Sequence, residues 1–130
     1  MYTEESIRDI VAAQRKYFRS GETLPIKWRI QQLKRLKAAV LARQDELIAA
    51  LQADLGRSEL EAYLCDIGPI ITEVNEMISG LRRWSRPEIH FSGLMCWPSI
   101  FTKVYKMPYG VCLVISPFNF PILLTIGVVA

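Results

Sequence analysis

The sequence VCLVISPFNFP at residues 111–121 decides the fold prediction, because it indicates a buried strand that ends in a turn. Its first five residues are apolar without polar alternation, which is typical of a strand in a parallel sheet covered by helices on both faces. A polar residue, Asn119, then follows between two prolines. Open α/β sheets bind ligands at the carboxyl ends of their strands, so Asn119 is the first candidate site residue. We expect its side chain to be enclosed and the strand to have a parallel neighbour.

Asn119 has two interpretations. Asparagine is a favoured N-cap, so its side chain could satisfy the free backbone amides of a helix that starts near Phe120 and Pro121. Alternatively, the side-chain amide donates a hydrogen bond to an oxyanion, a role that suits an uncharged donor in a dry site. Pro117 and Pro121 restrict the backbone on either side. Local sequence leaves both alternatives open.

Composition indicates a globular chain with a core of its own. It has 130 residues, 51% of them hydrophobic, and a net charge of +3 that does not call for a nucleic-acid partner. The three cysteines have no CxxC spacing, so neither a disulfide framework nor a cysteine-rich metal site is expected. The single histidine, His90, has no partner at metal-ligand spacing and is expected in a polar loop, so we expect no metal.

The ends of the sequence bear on localisation. Glu4 and Glu5 stand where a secretory signal would carry basic residues, and together with the free cysteines they favour the cytoplasm. Residues 107–130 have the length of a membrane span, but their prolines and glycines would leave backbone groups unpaired in lipid.

Residues 120–130 carry no charge, and a helix that is apolar all round must be enclosed by other protein. We therefore interpret the chain as the opening part of a larger fold.

Apolar residues at three- and four-residue steps predict long helices before residue 100. The first covers residues 4–19 and ends before Gly21. The second covers about residues 24–55, roughly 45 Å at the usual rise per residue, with Thr23 as a possible N-cap. Its basic side chains are expected to form a solvated face, because Trp28 is the only aromatic residue among them.

Three further features complete the predicted order of elements. Ser58-Glu59-Leu60-Glu61 predicts a capping box that starts a third helix. Gly68-Pro69 should kink or divide that helix, which ends before Pro87. Residues 88–99 predict an irregular connection, and the alternation in residues 101–106 predicts a half-exposed strand.

The residues around Asn119 resemble a known family. Pro108-Tyr109-Gly110-Val111, followed by ISPFNFP at residues 115–121, is similar to the Pro-x-Gly-Val strand and Pro-Trp-Asn-x-Pro turn of NAD(P)-dependent aldehyde dehydrogenases. The helices before it resemble the class 3 branch, through Asp54-Leu55-Gly56-Arg57 and Glu61-Ala62-Tyr63. The resemblance spans about residues 18–130 and covers only the opening part of such an enzyme.

This resemblance implies an α/β fold in which amino-terminal helices precede the start of a doubly wound, mostly parallel cofactor-binding sheet. Residues 1–100 would form the helical part, residues 101–108 a strand of an oligomerisation sheet, and residues 109–130 the first core strand, the Asn119 turn and the start of the next helix. By position, Asn119 would be the oxyanion donor. Beside NAD or NADP would lie Ile115, Ser116, Pro117 and Phe118. Phe118 replaces the usual tryptophan, which keeps an aromatic wall but loses the indole N–H.

The resemblance also implies an activity and an assembly. Such enzymes oxidise aldehydes to carboxylic acids through a cysteine thiohemiacetal, and the complete enzyme would be a homodimer. No cysteine here matches the nucleophile: Cys112 is expected inside the buried strand, Cys65 in the core, and Cys96 in the irregular connection. No glutamate matches the general base, so we expect the chain alone to be inactive. The alternative is a non-enzymatic helical module that binds a partner or a membrane.

Overall fold

The computed structural model describes residues 2–130, which form helices packed around one core and a separate two-stranded sheet. Two short turns of other helix types, a π-helix at Tyr63–Ile67 and a 3-10 helix at Leu94–Cys96, interrupt the order. The elements are α1 Glu4–Arg19, α2 Ile26–Ala42, α3 Gln44–Leu55, α4 Glu59–Ala62, α5 Gly68–Trp84, β1 Glu88–Phe91, β2 Phe101–Val104 and α6 Leu123–Val129.

The first predicted helix is confirmed over its full length. A capping box between Thr3 and Ser6 starts α1: the Ser6 N–H donates to Thr3 Oγ1 at 3.2 Å and the Thr3 N–H donates to Ser6 Oγ at 2.9 Å. After the helix, Gly21 has a φ of +80°, a left-handed conformation that glycine adopts without steric cost. Among the described residues, α1 buries no side chain fully, so it is a peripheral helix.

The prediction of one continuous helix over residues 24–55 is wrong. The backbone leaves the helical region at Arg43 (φ −116°, ψ 19°), which separates α2 from α3. Both helices bury apolar side chains in the same core. The break allows each helix to orient its own apolar face toward that core. The predicted Thr23 cap is also wrong. Pro25 occupies the N-cap position, and the Thr23 carbonyl accepts a hydrogen bond from Arg29 Nε at 2.8 Å.

The capping box at Ser58 is confirmed, and it starts α4. The Glu61 N–H donates to Ser58 Oγ at 3.3 Å, and the Ser58 N–H donates to Glu61 Oε2 at 3.0 Å. The helix is divided at the predicted place by the π-helical turn, in which the Gly68 N–H donates to the Tyr63 carbonyl five residues back. Pro69 then lies in the first turn of α5, where its missing N–H costs no helical hydrogen bond.

This capping box predicts a dependence of stability on pH. Hydrogen bonds from the Ser58 backbone and hydroxyl, aided by the charge of Arg57, lower the pKa of Glu61 below its ordinary value of 4.5. A carboxyl whose pKa is depressed by folding stabilises the fold above its unfolded-state pKa, and this contribution is lost as the pH falls through the folded value. We therefore expect the urea midpoint to fall less steeply below about pH 4.5 in Glu61→Gln than in the wild type.

Urea titrations followed by far-UV circular dichroism at several acidic pH values measure this difference. Glu59→Gln is the matched control, because Glu59 lies in the same helical turn but makes no capping hydrogen bond in the described chain. An acid sensitivity in Glu61→Gln equal to that of the wild type would contradict the prediction.

The sheet is partly as expected. β2 confirms a strand over Phe101–Val104, but it is shorter than the predicted range 101–106, and its residues are all exposed rather than half-exposed. The prediction of an irregular connection is wrong for its first residues, which form β1. The strands pair antiparallel, with Glu88 opposite Val104 and Phe91 opposite Phe101. His90 therefore lies in an exposed strand rather than in the expected loop. Glu88–Phe91 alternates polar and apolar residues, but four residues are the minimum for recognising a strand, and Pro87 and Gly93 on either side favour an irregular connection.

The core lies where α2, α3, the π-helical turn and α5 meet, and α6 covers one side of it. Its fully buried side chains include Ile67, Ile70 and Val74. Asp66 is the only charged side chain buried within residues 2–130, and it is completely inaccessible to solvent. A buried carboxylate is stable only when it is paired and hydrogen-bonded, so Asp66 needs partners within the fold.

The predicted buried strand at residues 111–115 is wrong for the part of the chain that the structure describes. These residues belong to no strand, and Leu113 and Ile115 are 84% and 85% exposed. A strand obtains its backbone hydrogen bonds from neighbouring strands, and among residues 2–130 the only pairing is that of β1 with β2. The expected parallel neighbour is thus absent from the described range. Cys112 is consequently exposed and not buried as expected. Cys96 is exposed as well, whereas Cys65 is half-buried.

Within residues 2–130, no helix combines the length and the apolar character that crossing a bilayer requires.

Candidate active site

Asn119 lies in the turn between the irregular segment 111–117 and α6. Its side chain is exposed, so the expectation of an enclosed amide is wrong for the described chain. The alternative role as N-cap of the last helix is not observed either, because α6 starts at Leu123 after Ile122. Within residues 2–130, the Asn119 side chain takes part in no hydrogen bond, whereas its backbone carbonyl does. The side-chain amide is therefore available to a ligand.

The backbone amides at the start of α6 are satisfied by Asp66, which belongs to the π-helical turn. The N–H groups of Ile122 and Leu123 donate to Asp66 Oδ1 at 3.2 and 2.8 Å. The positive end of the helix dipole also favours this carboxylate. A side chain more than fifty residues away in sequence thus does what a local N-cap normally does.

Arg57 links this carboxylate to Asn119. One guanidinium nitrogen, Nη1, donates to Asp66 Oδ2 in a salt bridge, and Nη2 donates to the Asn119 carbonyl oxygen at 2.6 Å. The guanidinium carbon lies 4.8 Å from the centre of the Phe120 ring, close enough for a cation–π interaction. Arg57 therefore contacts two successive residues of the turn while it neutralises the buried charge.

The four residues predicted beside the cofactor directly precede Asn119 in the irregular segment and the first residue of the turn. Ile115 and Phe118 are 85% and 87% exposed, and Pro117 is also exposed. Ser116 differs, because its hydroxyl lies 2.6 Å from Thr125 Oγ1. The Thr125 hydroxyl donates its hydrogen bond to the Pro121 carbonyl. Ser116 is therefore the donor to Thr125, and this contact joins the segment to α6. The structure thus brings these residues next to Asn119, with most of their surface free.

Within the described range, no three His, Cys, Asp or Glu side chains are grouped so that they could hold a metal ion. The candidate site is therefore a donor amide beside an apolar, uncharged segment.

The sequence alone assigned no role to Asp66. Arg57 entered only as part of the Asp54-Leu55-Gly56-Arg57 motif that carries the family resemblance. A signal for Asp66 was present: it lies four residues after Ala62 and four before Ile70, both of which are fully buried. A charged residue at such an inward position of a helix needs a partner. What the sequence does not provide is the identity of that partner, since the contacts come from distant segments.

Comparisons with known proteins give the family of the chain and the fold that it matches. The family model described as "Aldehyde dehydrogenase family" matches residues 1–130. The chain belongs to the aldehyde dehydrogenase family. The matched region includes the Asn119 turn and all the helices that support it, so the predicted family resemblance is confirmed.

Several relatives belong to the family 3 branch of the aldehyde dehydrogenases. The chain is 39% identical over 108 residues to "Aldehyde dehydrogenase family 3 comG" of Dictyostelium discoideum, a match over 83% of this chain and 23% of that protein. It is 33% identical over 118 residues to "Aldehyde dehydrogenase family 3 member H1" of Arabidopsis thaliana, over 91% of this chain and 24% of that protein. The chain thus spans about a quarter of the length of these relatives.

A solved structure shows that the fold matches part of an aldehyde dehydrogenase. It is described as the substrate-bound state of Staphylococcus aureus AldH, and it superposes with a TM-score of 0.87 at 30% identity. The match covers 97% of this chain and 27% of AldH. The predicted fold class is confirmed in this sense: a helical region with a short two-stranded sheet that corresponds to one part of the aldehyde dehydrogenase fold.

Proposed function

We propose that this chain is the amino-terminal part of an NAD(P)-dependent aldehyde dehydrogenase that converts aldehydes to carboxylic acids. The observation that carries the proposal is the free side-chain amide of Asn119 on a turn whose backbone Arg57 and Asp66 fix. Family membership favours this function over the alternative of a non-enzymatic interaction module. The chain supplies one element of the site, the donor to the oxyanion.

Asn119 would act when a cysteine thiolate adds to the aldehyde carbon. A carbon–sulfur bond forms, the carbonyl π electrons move to oxygen, and the resulting oxyanion accepts a hydrogen bond from the Asn119 side-chain amide. A donor of this kind is useful because the backbone that carries it is in place before charge develops, and because a neutral amide is too weak an acid to transfer its proton to the anion that it stabilises. The fixed backbone of the turn supports this role.

Ile115, Ser116, Pro117 and Phe118 would form one wall of the cofactor groove. They fit this role because they are uncharged and mostly exposed, and because they precede the donor directly in the chain. NAD or NADP, when bound, accepts the hydride from the aldehyde carbon. Phe118 would contribute an aromatic face but no N–H donor.

The rest of the proposal concerns the complete enzyme. We assign residues 1–100 to its helical part, residues 101–108 to a strand that contributes to oligomerisation, and residues 109–130 to the start of its cofactor-binding sheet. The enzyme would be a homodimer that acts on a small-molecule aldehyde, with no nucleic acid and no membrane span involved. Three free cysteines suit a reducing compartment such as the cytoplasm.

The nucleophile and the general base would come from other parts of that enzyme. Cys65 is half-buried on the π-helical turn, and Cys96 and Cys112 are exposed. None of the three matches the family's nucleophile segment. We therefore expect the isolated chain to be catalytically inactive.

A hybrid enzyme tests this function. Residues 1–130 replace the matching 27% of Staphylococcus aureus AldH, and aldehyde-dependent formation of NADH or NADPH is followed by absorbance. We expect turnover by the hybrid and none by the isolated chain. A hybrid with native-like circular dichroism that binds NAD(P) but forms no reduced cofactor would overturn the proposal, and turnover by the isolated chain would overturn the expected inactivity.

A further inference from the structure

We infer that Asp66 is a positioning residue for Asn119, and that it acts through Arg57 and through the start of α6. The catalytic consequence rests on the proposed function, whereas the structural role of Asp66 does not. Asp66 lies in the π-helical turn, more than fifty residues before Asn119 in the sequence. Extra residues of this kind in helices are frequently found at functional positions.

Both carboxylate oxygens of Asp66 are used in fixing the turn. Oδ1 accepts from the N–H groups of Ile122 and Leu123, at 3.2 and 2.8 Å, and Oδ2 accepts from Arg57 Nη1. Because Asp66 is completely buried, water cannot replace these partners. The start of α6 and the Arg57 guanidinium therefore have fixed positions relative to one carboxylate.

Arg57 extends this constraint to Asn119. Its guanidinium is planar, so the nitrogen that contacts Asp66 fixes the direction of Nη2, which donates to the Asn119 carbonyl at 2.6 Å. The Phe120 ring, 4.8 Å from the guanidinium carbon, restricts the same group from the side. The backbone from Asn119 to Leu123 is consequently held at both ends by one ion pair.

The Asn119 side chain is not held by hydrogen bonds of its own within residues 2–130. What this chain fixes is therefore the backbone position from which the side chain extends. A donor to a developing oxyanion must lie within a few tenths of an ångström of the productive position, and small displacements are costly in rate. The Asp66–Arg57 pair thus provides the preorganisation of the donor.

Hydrogen exchange of the isolated chain tests the structural part. In Asp66→Asn, which preserves the shape of the side chain but removes its charge, we expect the amides of Ile122 and Leu123 to exchange about 10-fold faster or more than in the wild type. The amide of Val74 in α5 serves as the internal reference for global unfolding. Asp54→Asn, an exposed aspartate at the end of α3, is the matched control and should leave exchange unchanged. Unchanged exchange at Ile122 and Leu123 in Asp66→Asn would overturn the inference.

A double-mutant cycle in the hybrid enzyme tests the catalytic part. We expect Asp66→Asn to lower kcat about 10-fold with little change in KM, because the donor is misplaced in the transition state. In an Asn119→Ala background the same substitution should change kcat by roughly 2-fold or less, since its effect passes through Asn119. Equal effects in both backgrounds, after correction for folded protein, would show a role in stability alone and would overturn the inference. Failure of the proposed function gives a different result, in which Asn119→Ala itself leaves kcat unchanged while the exchange difference persists.

Discussion

Replacing Asn119 by alanine is expected to lower kcat of the hybrid aldehyde dehydrogenase about 10²–10³-fold, the usual cost of removing one oxyanion donor. The hydrogen bond exists only once negative charge has developed on the substrate oxygen, so kcat and kcat/KM should fall together while KM stays nearly constant. Asn119→Asp should be equally slow, because a carboxylate has the same shape but cannot donate. Steady-state assays with a small aldehyde measure all three quantities.

The matched control for this substitution is Asn75→Ala. Asn75 lies on α5, where its side-chain oxygen accepts a hydrogen bond from Lys37 Nζ at 2.8 Å on the protein surface. We expect this variant to retain kcat within about 2-fold, because exposed polar contacts contribute little to folding or positioning. An Asn119→Ala variant as active as the Asn75→Ala control would remove Asn119 from the mechanism.

The largest effect on stability is expected from Ile70→Ala. Ile70 is completely buried in α5, next to the π-helical turn that carries Asp66. Removing a large buried side chain leaves a cavity and costs about 2–5 kcal/mol of the free energy of unfolding. Native domains have a total of only about 5–15 kcal/mol, so a substantial part of the chain would be unfolded at modest urea concentrations.

Urea unfolding followed by circular dichroism measures this free energy. Ile7→Ala in α1 makes the same chemical change at a side chain that is 51% exposed, and it should cost less than about 1 kcal/mol. Equal losses from the two substitutions would show that the core is not where the structure places it.

The features that could be predicted from sequence are those with local causes. The bounds of α1 follow from apolar periodicity and from Gly21, and the Ser58 capping box needs only side chains and amides within one turn. The candidate donor could also be found, because prolines on both sides of Asn119 mark its turn. Family membership followed from the same short motif and was confirmed by the match to residues 1–130.

The features that could not be predicted depend on contacts between distant segments. The break at Arg43 is such a case, because it lets α2 and α3 bury their stripes in one core. β1 is another, since its partner strand begins ten residues after β1 ends and is needed to stabilise so short an element. The exposure of residues 111–115 also reflects partners: an apolar run forms a central strand only where neighbouring strands accept its hydrogen bonds.

The sequence by itself determined the bounds of α1, the Ser58 capping box and the family to which the chain belongs, because each is encoded by residues close together along the chain. Only the tertiary structure decided that Asp66, and not Asn119, satisfies the first amides of α6, and that Arg57 joins this carboxylate to the Asn119 carbonyl. The physical reason is that a buried charge must be paired, whereas the sequence states only that the charge is present. The tertiary fold places Asp66 and Arg57 against the backbone of the candidate site, which supplies the hydrogen-bond partners.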